Sequence, residues 1–427
     1  MTRVIYQLTA LFLGFGVLTV GNGLITSLLA LRMGIEGFPV QTAGLIMSAQ
    51  SLGFVIGPFL VPRMMHRVGH IRMFAFCAAV AAVATLTLPL HLHPVTWLLL
   101  RFATGLALSG CTLILESWLN HRTATETRGR VLGVYMVLYY LAFGAAQFLL
   151  LTAAPSGFEL FSIAAILFAL ALLPIAATRI GEPDRPEPHL PSFRRLWRTT
   201  PLGTVGCFCA GFMGTAFVAA GPLFARARGM TTEEIATFMG AAMMAGLLLQ
   251  LPLGMLSDRV DRRRLIGAVA ALTALAALGL GFGSVYGPWA AIGAAMVYGG
   301  LVYAIYPLVV SHANDVAGPH DGVVLSAGLI FACGLGSTCG PLVAMSLMSG
   351  LGPAGMFIAI AAVGLVLTIF ASWRAVAGDP VPESSRTDFV SVPPTTPAVT
   401  DLDPRTVPAD AVEILGPDDN AGNRYPP

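Results

Sequence analysis

Lysine is missing from this chain: all 24 basic residues are arginine. A P-loop nucleotide site needs a lysine at the phosphates, and a Schiff-base enzyme needs one as nucleophile, so neither chemistry is open to it. Charge of either sign is scarce. Only 11% of the 427 residues are charged and 56% are hydrophobic, against about 25% charged in an ordinary soluble domain. So few charges cannot solvate the surface of a soluble protein this long, and the chain reads as an integral membrane protein. Cysteine is thin as well. The six present (Cys77, Cys111, Cys207, Cys209, Cys333 and Cys339) fall inside apolar runs with no CxxC pair, which favours buried small side chains over disulfides or zinc ligands. A net charge of +2 leaves no nucleic-acid footprint. HExxH and GxSxG are absent, and the HxH of His91 and His93 has no nearby acid. No enzyme activity, metal or cofactor is therefore expected.

What the sequence has is long apolar runs, at roughly 8–31, 41–62, 72–91, 96–118, 131–153, 158–178, 202–224, 234–256, 265–285, 288–310, 323–348 and 353–374. These predict an all-α fold of twelve transmembrane helices: a six-helix bundle over 1–178, a polar linker over 179–200, and a second six-helix bundle over 201–375. The first run is too long for a signal peptide's apolar region and carries Asn22, so it reads as a retained helix. Past residue 376 the chain turns Pro-rich and acidic, with Asp401, Asp403, Asp410, Glu413, Asp418 and Asp419, and is expected to be a disordered cytoplasmic tail.

Arginine placement predicts the orientation. With the N-terminus inside, twenty arginines fall on inner segments, three (Arg32, Arg226, Arg228) on outer loops, and Arg101 within a span. That bias predicts an even number of spans with both termini in the cytoplasm. The linker prolines are followed by Phe193-Arg194-Arg195-Leu196-Trp197-Arg198, read as an ordinary connection that obeys the charge bias.

Two charged turns repeat. Gly254-Met255-Leu256-Ser257-Asp258-Arg259-Val260-Asp261-Arg262-Arg263-Arg264 sits between two apolar runs of the second half, and the turn from Pro62 to Arg72 sits likewise in the first. Arg67 and Arg259 are 192 residues apart, as are Gly69 and Asp261, which suggests a duplicated membrane protein. Spans three, six, nine and twelve are almost wholly apolar and read as lipid-facing. Polar groups gather in spans one, two, four, five and ten, where a bundle would turn them away from lipid.

With these turns in place the chain resembles the major facilitator superfamily across essentially all twelve spans. Gly254, Asp258, Arg259, Arg262 and Arg263 match that family's charged turn, with Asp261 in place of its later Gly. In the first half Arg67 and Gly69 match, while His66 and Pro62 replace the Asp and first Gly. Arg101 with Gly105 is similar to the family's fourth-helix Arg-x-x-x-Gly, and Arg128-Gly129-Arg130 to the basic start of its fifth helix. The stretch from Leu115 to Asn120, with Arg128-Gly129-Arg130, looks most like the bacterial YcaD-like branch of transporters. The resemblance implies two bundles around a central cavity, lined by spans one, four, seven and ten, that opens alternately to either side.

The candidate site residues each carry two readings. Arg101 inside a span either holds an anionic group or proton site in the cavity, or snorkels toward the outer surface. Glu116, about 22 Å further along the same helix at 1.5 Å per residue, either couples transport to protons or closes an inner gate through ion pairs to Arg67, Arg128 or Arg130. Asp258 and Arg259 are gate elements or plain topogenic charge. Asn22, Gln50 and Gln147 contact a solute or bond helix to helix. Tyr298 forms a stacking wall with Tyr306 or simply packs. The expectation is a monomeric secondary transporter whose partners are a small-molecule solute, the lipid bilayer and, for coupling, protons. A non-transporting sensor or scaffold with a retained transporter fold is the alternative.

Overall fold

In the computed structural model the described residues are 2–177, 193–283, 287–317, 322–377, 387, 389–396, 398, 399 and 403, and they contain no strand. Among the described residues twelve helices are long and apolar enough to cross a membrane: Leu8–Ile35, Val40–Val68, His70–Leu90, Pro94–Arg122, Arg128–Leu151, Glu159–Ala176, Pro201–Ala227, Thr232–Arg259, Arg262–Gly283, Pro288–Val316, Leu325–Leu351 and Gly355–Ala377. Local chemistry sets several of their starts. Pro94, Pro201 and Pro288 open the fourth, seventh and tenth helices, where a missing N–H is harmless. The eighth begins with a capping box: Thr231 accepts from the Glu234 N–H, and the Glu234 side chain accepts from the Thr231 N–H. Gly69, at φ +82°, makes the turn between the second and third helices, where a side chain would be strained.

The same pairings recur in both halves. The second helix packs on the fourth as the eighth packs on the tenth, the first on the fifth as the seventh on the eleventh, and the third on the sixth as the ninth on the twelfth. Glycines permit the closest crossings. A Cβ on Gly105 would stand 2.0 Å from the Gln50 carbonyl oxygen, and one on Gly53 2.2 Å from that of Phe102; in the second half Gly299 meets the Ala242 carbonyl at 2.2 Å. Gly105→Ala should therefore force the second and fourth helices apart and lose about 1–3 kcal/mol. Gly133→Ala, with nothing within 4 Å of its new methyl, should be neutral or slightly stabilising. Melting of the two variants in one detergent compares them directly.

Between the bundles, the second helix packs on the eleventh, the fifth on the eighth, and the first on the seventh. Helices three, six, nine and twelve pack within their own bundle, and large apolar side chains such as Phe76, Ile166, Leu275 and Ile369 stay exposed on them. That is the partition expected of lipid-facing helices. Call the end that carries the 62–72 and 254–264 turns the basic end. At the opposite end the bundles meet directly: Gln41 Nε2 donates to Ser349 Oγ at 2.6 Å, Gly44 lies against Met345 and Pro341, and Gly34 lies against Leu223. Arg32 ties the first helix to the carbonyls of Pro155, Ser156 and Gly157 and pairs with Glu36 at 2.8 Å.

Part of the linker, 178–192, lies outside the described residues. Its end forms a short helix, Phe193–Thr199, with Leu196 buried near Gly328 and the Trp197 ring 6.3 Å from Phe370. The expected disordered tail departs from expectation where it is described. Val392, Thr396, Ala398, Val399 and Asp403 are buried, and Val392, Ala398 and Val399 belong to the main hydrophobic core. Composition underrates this stretch because few apolar side chains are needed where hydroxyl and backbone groups find buried partners.

Candidate functional site

Four fifths of the way along the fourth helix, Glu116 is completely buried. It accepts a hydrogen bond from Tyr135 Oη of the fifth helix at 2.7 Å, and its two oxygens accept from the hydroxyls of Thr395 and Thr396. Three hydroxyls thus satisfy the carboxylate, and the expected ion pairs with Arg67, Arg128 or Arg130 are not formed among the described residues. Helix register explains this. Arg128 begins the fifth helix, seven residues or about 10 Å before Tyr135, so Tyr135 reaches the depth of Glu116 while Arg67 and Arg130 stay exposed.

The second-half turn forms a network around Arg262. Its guanidinium, buried at the start of the ninth helix, pairs with Asp258 at 2.7 Å and Asp315 at 2.6 Å, and also donates to the carbonyls of Ser311 and Thr387. Of the two candidate gate residues on this turn, Asp258 pairs with Arg262, four residues on, while Arg259 is exposed. Asp315, from the tenth helix, escapes a sequence reading because nothing local links it to a residue 53 positions earlier. Its one visible signal is a carboxylate at the charged end of an apolar run.

Beside this network, Asp261 accepts from the backbone N–H and the guanidinium of Arg263. Partial burial pushes its carboxyl pKa up, but the Arg263 hydrogen bonds and the Arg263 and Arg264 charges outweigh it, leaving the pKa below the usual Asp value. A carboxyl lowered on folding contributes stability above its unfolded pKa and loses it as pH falls through the folded one. Asp261→Asn should accordingly melt lower than its parent at neutral pH, with the two melting-temperature profiles converging as the pH falls through the Asp261 pKa, so that the acid side of the variant's profile is flatter.

Deeper in the N-terminal bundle, Arg101 is completely buried, and none of its three guanidinium nitrogens has a hydrogen-bond partner among the described residues. It does not snorkel. Asn22 and Gln50 bind each other, Gln50 Nε2 donating to Asn22 Oδ1 at 2.8 Å, and Gln147 accepts from Ser27 Oγ at 2.6 Å. These amides join helices one, two and five. Tyr298 likewise serves packing: it donates to the Met213 carbonyl at 2.9 Å, with its ring 5.0 Å from that of Phe217. Aromatic contacts between the bundles are instead made by Tyr140 with Tyr303, ring centroids 5.9 Å apart, and by Phe59 with Phe331 at 6.0 Å; Tyr139 is 5.5 Å from Tyr140. The Tyr303 hydroxyl is buried without a hydrogen-bond partner among the described residues. The five buried cysteines and the exposed Cys339 are all free.

The geometry is therefore two pseudo-equivalent bundles, directly joined at one end. At the basic end the N-terminal bundle carries a buried carboxylate, the C-terminal bundle a buried arginine–aspartate network, and the segment with Thr387, Thr395 and Thr396 bonds to both. Comparisons with known proteins agree with this architecture. The description Major Facilitator Superfamily matches residues 11–333 and 204–406. An uncharacterized MFS-type transporter of Yersinia enterocolitica is 24% identical, over 90% of this chain and 97% of its own. The uncharacterized MFS-type transporter YcaD of Salmonella newport is 23% identical, over 83% and 92% respectively. Among solved structures, a variant of the nucleoside transporter NupG superposes with a TM-score of 0.72 at 14% identity, covering 86% of this chain and 99% of that one. A bacterial homolog of the human lysosomal transporter Spinster, inward-facing and occupied, also gives 0.72 at 15% identity, covering 91% and 99%. On its helix order, its repeated pairings and these matches, the chain belongs to the Major Facilitator Superfamily.

Proposed function

We propose that this chain is a secondary transporter that carries a small solute across the bacterial inner membrane by rocking its two bundles about their shared midline. The basic end is the cytoplasmic one, with both termini there, as the arginine bias requires. The observation that carries the reading is an asymmetry. Between the bundles helix packs directly on helix from the outer end to past the middle, where Phe59 meets Phe331, whereas nearer the basic end Glu116 is met by the segment that holds Thr395 and Thr396. That difference supports reading the bundle pair as closed outside and parted inside.

Arg101 and Glu116 are both completely buried, and neither has an ion-pair partner among the described residues. A guanidinium without a partner is the group through which an anionic part of the solute, or a coupled proton, would act. Glu116, held by three hydroxyls and the Thr396 backbone with no ion pair among the described residues, can exchange these bonds for solute hydroxyls or take up a proton as the bundles move. A thermal-shift screen of metabolites on the purified protein, followed by flux of each stabilising compound in proteoliposomes, tests the function. A compound that binds and is carried down its gradient supports transport. Specific binding with no flux in sealed vesicles of either orientation would replace transport with a sensing role.

A further inference from the structure

We propose that the cytoplasmic mouth between the two bundles is a binding site for this chain's own segment 387–403, and that its occupancy holds the bundles in the closed-outside arrangement. The inference rests on the rocking-bundle reading above.

The segment binds alternately to the two halves. At its start, Thr387 donates its N–H and hydroxyl to Asp315 Oδ1 at 3.0 and 3.1 Å, and its carbonyl accepts from Arg262. The Phe389 N–H donates to Asp258 at 3.1 Å, and its ring lies so close to the eighth helix that a Cβ on Gly254 would come within 2.3 Å of it. These contacts are all to the C-terminal bundle. Thr395 and Thr396 then reach across to Glu116 of the N-terminal bundle. Farther on, Asp403 is back beside the tenth helix, 3.5 Å from Asn314 Nδ2. Val392, Thr396 and Val399 are at most 2% exposed, a degree of burial a segment resting on the surface would not reach.

The site recognises its occupant by matched chemistry. Three carboxylates (Asp258, Asp315 and Glu116) face donors of the segment: two backbone N–H groups and three threonine hydroxyls. The glycine that opens the charged turn gives room for one aromatic ring. A segment lodged between the halves has two consequences. The inner ends cannot come together while it is there, so the outer ends cannot part, and a solute from the cytoplasm meets Glu116 only after the threonines leave it. The segment is thus a tethered brake, and release from Glu116 is the step that frees the cycle.

Hydrogen exchange on the intact wild-type chain tests occupancy. It is compared with a full-length variant carrying Phe389→Ala, Thr395→Val and Thr396→Val, which removes the ring and two donors and leaves the carboxylates in place. Amides of 389–399 should exchange roughly tenfold or more slowly in the wild type, because a bound segment exchanges only on local opening. Motion is then read from Met345→Cys in a Cys339→Ala background. Met345 is fully buried at the outer contact, and an impermeant maleimide added from outside should label the cysteine faster once the segment is released. Equally fast exchange of 389–399 in both proteins would overturn the proposal and leave the transporter reading standing. Slow exchange in the wild type with no gain in Met345→Cys labelling on release would show a bound segment that restrains nothing, and would overturn the brake.

Discussion

Arg101→Leu should give a protein that melts higher than its parent and transports nothing. The guanidinium is fully buried with no hydrogen-bond partner among the described residues, and an arginine inside a membrane helix costs up to about 3 kcal/mol, the most at its centre. Replacing buried charged groups with well-packed apolar ones is often stabilising, by about 1–4 kcal/mol. A residue kept against its own stability contribution is kept for what it does. Melting in detergent and solute exchange in vesicles, measured on one preparation at matched abundance, separate the two effects. A lower melting temperature for Arg101→Leu would assign the arginine to holding the bundle, and unchanged exchange would remove it from the mechanism.

Asp315→Ala should have the opposite signature, a large loss of stability. Arg262 and Asp315 are paired at 2.6 Å with both side chains 2% exposed. Removing one partner of such a pair leaves a buried charge uncompensated, at a cost of about 3–5 kcal/mol. Asp258, 35% exposed on its side chain, remains beside Arg262 but offsets only part of that loss. The paired substitution Arg262→Met with Asp315→Leu should recover most of the stability, because no charge is then stranded. The cycle of single and double variants isolates the coupling. Additive losses in the double variant would show that the two side chains act independently.

The sequence located helices well where lipid dictates composition and poorly where helices leave it. The second run is expected to stop near 62 and the eighth near 256, yet the helices continue to Val68 and Arg259. Hydropathy reads the edge of the bilayer, and a helix can carry Arg63, Arg67 and Asp258 beyond that edge with its backbone bonds intact. The polar residues in the spans were legible as groups that shun lipid. Which of them pair was not, since Asn22 with Gln50, or Ser27 with Gln147, is a fact of helix packing. Arg262 shows the same boundary: its place in the charged turn is visible in sequence, its bond to Asp315 is not. The segment around Thr395 and Thr396 was the hardest to anticipate. Its composition is that of a solvated chain, and only a buried carboxylate 279 positions upstream gives its hydroxyls a use.

Everything proposed for this protein depends on the outer ends of the two bundles parting and meeting again. Spin labels at Gln41 and Ser349, hydrogen-bonded to each other at 2.6 Å across that contact, measure it directly in proteoliposomes. The expected distance distribution has a dominant short population and a second, longer one that grows when a transported solute is added. A single short distance, unchanged by solute and by release of the 387–403 segment, would contradict it.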